Sequence, residues 1–334
     1  MVRRHRTVGC RGHCRSSSIA ISRSRRGSGF RNGGHRSRSG TAVPAVPANP
    51  GLTTWFHGTP PPTAANGTSC HETNRITVFV LQIADLNRPI PSAVFDLVFL
   101  ETLILHKTNF TGQIPHSITN LSHLKFLDLS WNHLSGDIPS FLSQLNNLET
   151  IELSFNNFTG SIPPSLSQLQ NLSGLFLGRN KLTGEIPESF ADFRQQDFYL
   201  RMSHNQLSGE IPRKMEHANF IVIDVSRNML DGDISFFFGK NKSLIYADFS
   251  RNLLRFDFSK VEYFSKRLRT LDLNHNRITG SLPVGLVDLN LDRLNVSYNR
   301  MCGRIPVGGR LQELETTSYF HNRCLCGAPL HECK

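Results

Sequence analysis

From residue 76 onward the apolar positions recur at a fixed offset. Leu124, Leu127 and Leu129 are followed by Asn132, Leu134, Gly136 and Ile138-Pro139, a frame of the form LxxLxLxxNxLxGxIP. It returns at Leu148–Pro163, where Ile151 takes one Leu position, and at Leu172–Pro187. Asn109, Asn132, Asn156, Asn180, Asn205, Asn228, Asn252, Asn276 and Asn299 are separated by 23, 24, 24, 25, 23, 24, 24 and 23 residues. A less regular copy over Ile76–Pro91 brings the total to about ten repeats. Alternate residues of an extended chain face opposite sides, so each LxL predicts one short strand with its leucines turned inward. The glycine of each repeat permits a tight turn, and the Pro after Ile ends strand pairing. The Asn is polar among apolar neighbours and must find partners, so it is expected to bond the backbone of adjacent turns in a ladder.

Two regions break the frame. Asp197 stands at the first Leu position of the Asn205 repeat, with Phe198 and Tyr199 beside it, which predicts a local shift. Around Asn228 and Asn252 the Gly-Ile-Pro element gives way to Gly232-Asp-Ile-Ser235 and Arg255-Phe-Asp-Phe258, which predicts an irregular convex side.

A period near 24 with this pattern is the signature of leucine-rich repeats. The expected fold is an α/β leucine-rich-repeat solenoid of about ten coils, each burying its leucines against its neighbours behind a concave parallel β-sheet. The expected boundaries are a disordered tail over 1–66, a remnant of an N-terminal cap over 67–75, repeats over 76–301, and a cysteine cap over 302–334.

Composition changes the picture at one end only. The chain has 334 residues, 38% hydrophobic and 19% charged, with a formal net charge of +11. Eleven Arg, from Arg3 to Arg38, and no Lys, Asp or Glu fall within residues 1–71. Of 37 basic and 26 acidic residues, 26 of each then remain in 72–334, a net charge of zero. A basic nucleic-acid-binding body is excluded. No stretch approaches the ~18–20 apolar residues of a spanning helix, so no transmembrane segment is expected. Residues 1–66, rich in Arg, Ser, Gly and Pro, show no hydrophobic period. Such a segment cannot offset its backbone entropy by burial. It is expected to be an upstream or out-of-frame exon assignment, with an organellar transit peptide and a nucleic-acid arm as alternatives.

The C-terminal run is more specific than the repeat. Leu294-Asn-Val-Ser-Tyr-Asn-Arg300, Cys302-Gly-Arg-Ile-Pro-Val-Gly-Gly309 and Ser318-Tyr-Phe-His-Asn-Arg-Cys-Leu-Cys-Gly-Ala-Pro-Leu330, with Phe141–Leu145 and Ser203–Gly209, resemble the polygalacturonase-inhibiting proteins of plant cell walls. The resemblance covers about residues 74–334. It implies a secreted, non-enzymatic glycoprotein of the extracellular cell wall that binds fungal endo-polygalacturonases in defence, with pectin as a second partner, and a monomer without cofactor or metal. It also implies a signal peptide and a cysteine-paired N-terminal cap. Residues 1–66 hold no apolar signal core, and only Cys70 stands near the end of such a cap.

Seven cysteines are an odd number, and four cluster at Cys302, Cys324, Cys326 and Cys333. Four allow three pairings, and a Cys324–Cys326 bond would close a strained ring, which leaves two. The resemblance implies Cys302–Cys324 and Cys326–Cys333. A zinc site with His321 and His331 is disfavoured by the Cys-x-Cys spacing. Asn66, Asn109, Asn120, Asn157, Asn171, Asn241 and Asn295 begin Asn-x-Ser/Thr sequons. Asn120, Asn157, Asn171 and Asn241 are the glycosylation candidates. Asn109 is read as a buried ladder position, and a glycan on Asn295 would obstruct the strand face.

Strand positions that face out stack from coil to coil, so they can be read as columns. Between the two leucines run Val80, Ile104, Asp128, Glu152, Phe176, Arg201, Asp224, Asp248, Asp272 and Asn295. Near the strand's end run Trp131, Phe155, Arg179, His204, Arg227, Arg251, His275 and Tyr298. An acidic column beside a basic and aromatic one is the candidate protein-binding face. The acidic column complements an enzyme whose cleft must hold a polyanion, while Arg227 and Arg251 offer a purely structural neutralisation of it. Pairs such as Asp272 with His275 recur by repetition, and no P-loop, nucleophile elbow or metal helix is present, so no catalysis is expected. The alternative is an extracellular repeat protein that binds a receptor or peptide in signalling or development.

Overall fold

The computed structural model describes residues 67–70, 75–195 and 197–334. The tail expected over 1–66, with the Asn66 sequon, lies outside the described residues.

Each LxL element forms a strand of about three residues. Phe126–Asp128, Thr150–Glu152 and Gly174–Phe176 pair in parallel, with Leu127, Ile151 and Leu175 in register. The same pairing runs from Ile76–Gln82 to Arg293–Asn295, and Gly67–Cys70 adds an antiparallel edge, giving an eleven-stranded concave sheet. Leu127, Ile151, Leu175, Ile223 and Leu271 are fully buried in a core that continues through every coil from Ile90 to Tyr319.

On the other side the Pro of each repeat precedes a 3-10 turn, as at His116–Asn120, Ser140–Gln144 and Pro164–Gln168. The helical half of the solenoid consists of such turns. Where Gly-Ile-Pro is lost they shorten from five residues to three, at Ser235–Phe237 and Phe258–Lys260. The shift expected at Asp197 is present too. Pairing slips between Phe198 and Tyr199, and Phe198 enters the core in place of the missing leucine, its ring 4.2 Å from that of Phe193.

The Asn ladder forms as expected, with one correction. Asn132 Oδ1 accepts from the amides of Thr108 and Phe110 at 3.1 and 3.0 Å, and its Nδ2 donates to the carbonyls of Leu105 and Leu129 at 2.6 and 2.9 Å. The rung below is Thr108, not Asn109. Thr108 Oγ1 donates to Asn132 Oδ1 at 2.8 Å, whereas Asn109 reaches outward to Asp85 at 2.9 Å. The ladder also runs one coil further than the spacing suggested. Asn322 Nδ2 donates to Val296 and Tyr319, each at 3.0 Å.

The NxLxG segments pair as well. Thr111–Gly112, His133–Asp137 and Asn157–Thr159 form one small sheet, and Thr183–Gly184, Gln206–Glu210 and Met229–Asp231 another, on the flank beside the ladder. Cys302 is bonded to Cys324 and Cys326 to Cys333, which closes the last coil around the parallel strands Cys302–Arg304 and Cys324–Cys326. Among the described residues no helix is long and apolar enough to cross a membrane.

Candidate partner-binding face

The two columns lie side by side on the concave sheet, but neither is a row of freely solvated side chains. In the first, each carboxylate, and Asn295, accepts from the amide two positions on. Asp128 accepts from Ser130 N at 2.8 Å, Glu152 from Ser154 N at 2.7 Å and Asp224 from Ser226 N at 3.1 Å. Asp248, Asp272 and Asn295 do the same to Ser250, Asn274 and Ser297 at 3.0 to 3.1 Å. Strand pairing ends at these residues, and the side chain closes the turn that follows. The expectation that the column is exposed is corrected accordingly. Asp128 and Asp272 are 8% and 3% exposed, and Val80, Ile104 and Phe176 are also buried.

Neutralisation by Arg227 and Arg251 is corrected as well. Cations that do pair with the column include His106, with Asp128 at 3.8 Å, and Arg293, with Asp272 at 2.9 Å. Burial, reinforced by the charge of Asp128, pushes the Glu152 carboxyl up to about 8. Burial, then the charges of Asp224 and Asp272, pushes Asp248 up to about 7. Asp128 and Asp272 are raised chiefly by burial.

The second column has a backbone property that sequence did not reveal. Trp131, Phe155, Arg179, His204, Arg227, Arg251, His275 and Tyr298 all adopt left-handed φ between 54° and 57°, and Lys107 and His321 extend the series at 52° and 56°. This kink turns the chain so that the next residue, the ladder Asn, points inward. It costs an L-residue about 1 kcal/mol or more. It also gives every side chain of the column the same launch direction, so the rings stack. Trp131 lies on Phe155 at 3.8 Å, and the Arg179 guanidinium is 5.0 Å from the Phe155 ring. At the other end His275, Tyr298 and His321 stack at 4.1 Å spacings. Burial, then neighbouring arginines, holds His204 and His275 below the usual imidazole range.

Between the columns the sheet is hollowed. Gly174 and Gly178 occupy positions held by Thr150 and Ser154 in the coil before and by Tyr199 and Ser203 in the coil after. The two glycines line a cavity of about 250 Å³ bordered by Trp131, Phe155, Phe176, Asp128, Glu152 and Arg201. Phe176 leans over Gly174, where a Cβ would come within 2.7 Å of its ring. Arg201, in register with Phe176 and Asp224, separates the two acidic runs and lies 5.7 Å from the Tyr246 ring. The two glycines were the available sequence signal for the hollow. Of the sequon residues, Asn120, Asn171 and Asn241 are exposed, while Asn157 is half-buried in the flanking sheet and Asn109 sits outside the ladder.

A profile of the family described as Leucine Rich Repeat matches residues 99–121, 123–145, 147–169, 171–193 and 267–289. The crystal structure of a plant ice-binding protein superposes with a TM-score of 0.78 at 49% identity, covering 80% of this chain and 87% of that one. The chain belongs to the leucine-rich repeat family. Curated relatives that it matches are named polygalacturonase inhibitors. It is 59% identical over 113 residues to the polygalacturonase inhibitor of Vitis vinifera, 34% of each chain. To that of Pyrus communis it is 60% identical over 116 residues, 35% of each chain. These matches span about a third of the length of the curated relatives.

Proposed function

We propose that this protein is a non-enzymatic inhibitor of fungal endo-polygalacturonases in plant cell-wall defence, gripping the enzyme with its concave face. The observation that carries the reading is the hollow over Gly174 and Gly178, where aromatic, acidic and cationic groups meet on one rigid sheet. The names of the inhibitors from Vitis vinifera and Pyrus communis support the same partner. An enzyme that holds a polyanionic substrate needs a cationic cleft, and Asp224, Asp248 and Asp272 offer such a cleft a complementary surface. Trp131 and Phe155 supply the large apolar contact that dominates interface energetics. Docking there covers the cleft and excludes substrate. Arg179, Arg227 and Arg251, on coils spaced by multiples of ~4.8 Å with His204 between them, form a cationic rim suited to pectin as a second partner. The two C-terminal disulfides and the exposed sequons favour an extracellular setting.

The test is inhibition of a panel of fungal endo-polygalacturonases by the purified chain. Asp224→Asn keeps the acceptor for Ser226 N, as Asn295 does for Ser297 at the same position, and removes only charge. It is expected to weaken inhibition roughly tenfold, the size of one charge-assisted contact. Gly174→Val fills the hollow and is expected to weaken inhibition by at least that factor while the protein stays folded, since Phe176, a side chain at the edge of the cavity, can give way. No inhibition of any enzyme by the unaltered chain would overturn the reading.

Ice binding is a second reading, because the ice-binding relative matches most of this chain. Thr111, Ser135 and Thr159 place hydroxyls on consecutive strands of the flanking sheet. Restraint of ice recrystallisation by the purified protein, lost on changing those three residues to Lys, would favour it.

A further inference from the structure

Five carboxyl groups of the concave face occupy paired positions on adjacent strands. Asp128 is in register with Glu152, and Asp224, Asp248 and Asp272 are in register with one another. Paired positions lie ~4.8 Å apart. Two carboxylates that close in a partly dry site do not both ionise freely, and one proton is retained between them.

The groups around each carboxyl decide which one keeps it. Asp128 faces His106 at 3.8 Å, and Asp272 faces Arg293 at 2.9 Å, so both have a cation to stabilise their charge. Asp248 has a carboxyl on either side and the Tyr246 phenol beside it, a phenol that Arg201 and Arg293 also act on, while Arg293 itself is bonded to Asp272. Glu152 has Asp128 on one side, and its nearest opposing charge is Arg201, two strands away. The rim arginines Arg227 and Arg251 form no ion pair with the column among the described residues, and burial holds the His275 imidazole below its usual range.

We propose that the concave face is a proton-linked latch, in which Glu152 and Asp248 hold protons in the free protein and release them when cationic side chains of the partner dock. Binding to a cationic partner therefore tightens as pH rises. The inference rests on the inhibitor reading for the identity of the partner, though the proton retention itself does not. The electrostatics agree with the geometry: burial first and the neighbouring carboxylates second raise Glu152 to about 8 and Asp248 to about 7.

The sign of the stability effect follows from linkage. Both groups are raised in the fold above ordinary values of 4.5 and 3.8. The folded state holds protons that the unfolded chain has released, so this contribution is complete in acid and is lost as pH rises through about 7 to 8.

Two measurements test the latch. In the free protein, the urea midpoint is expected to fall between pH 5 and pH 8, and the double variant Glu152→Gln/Asp248→Asn, which keeps both turn-closing acceptors, should flatten that fall. Calorimetric titration with a fungal endo-polygalacturonase, in buffers of different ionisation enthalpy, should show net proton release that the double variant lacks. The affinity should rise by up to about tenfold per pH unit for each proton linked. A flat or rising stability profile overturns the latch whether or not the enzyme binds. Binding without proton release overturns it as well. A falling profile with no binding to any polygalacturonase sinks the inhibitor reading and leaves the carboxyl pairing established.

Discussion

Replacing Asn252 with alanine is expected to destabilise the solenoid by about 3–5 kcal/mol. Asn252 is 6% exposed, and its side-chain oxygen accepts from Leu230 N at 3.0 Å. Its Nδ2 donates to the carbonyls of Val225 and Phe249 at 3.0 and 3.1 Å. Alanine strands the Leu230 amide in a site that water reaches poorly, at about 1–3 kcal/mol. It also takes one of two donors from each of the Val225 and Phe249 carbonyls, which keep Asn228 and Asn276, at about 0.5–1.5 kcal/mol apiece. The damage is shared by two coils, because the rung joins the turn before it to its own strand. In a solenoid, stability is a sum of neighbour terms, so weakening one joint can separate unfolding into two steps. Asn109→Ala is the control. Its side chain bonds Asp85 on the surface and its φ is 56°, which Asn tolerates better than Ala, so the loss should be about 1 kcal/mol. Urea unfolding followed by circular dichroism compares the two. Equal losses would mean that the ladder begins at Asn109 after all, with Thr108 incidental.

That contrast marks where sequence was legible and where it was not. The LxL strands and the shortened turns at Ser235–Phe237 and Phe258–Lys260 follow from local pattern, because each needs only its own coil and the next. Asn109 misled by one position because Thr108 takes the ladder role with a hydroxyl and an amide, while a genuine Asn happens to follow it. The flanking sheet was missed because NxLxG reads as a turn in isolation and becomes a strand only when the coils stack in register. The carboxyl column was legible as a column, but not as buried. Side-chain alternation says which way Asp128 and Asp272 point and nothing about how sheet curvature and their neighbours enclose them. The left-handed column was hidden for a different reason. That conformation normally announces itself by Gly or Asn, and here Trp, Phe, Arg, His and Tyr hold it, forced by the need to turn the following Asn inward. The stacking of Trp131 on Phe155 is a consequence of that constraint, and it shapes the proposed site.

Trp131→Ala is therefore expected to weaken inhibition by about 30- to 300-fold, the range of a truncated aromatic hot spot. Trp131 is 45% exposed at the edge of the hollow, stacked on Phe155 at 3.8 Å, with the Lys107 ammonium 6.0 Å from its ring. Its backbone N–H donates to Ser154 O at 3.0 Å, and the ladder residue that follows holds the chain as well. The indole thus meets a partner already ordered, with little conformational entropy left to lose. Binding and folding can be separated by a second variant. Trp131→Gly removes the same ring and also relieves the left-handed strain, which is worth about 1 kcal/mol. The glycine form should be at least as stable as the alanine form in urea, yet inhibit equally poorly. If both variants inhibit as well as the unaltered chain, the aromatic rim is structural and the partner docks elsewhere. If inhibition recovers with glycine alone, the alanine defect arose from the backbone and not from the lost ring.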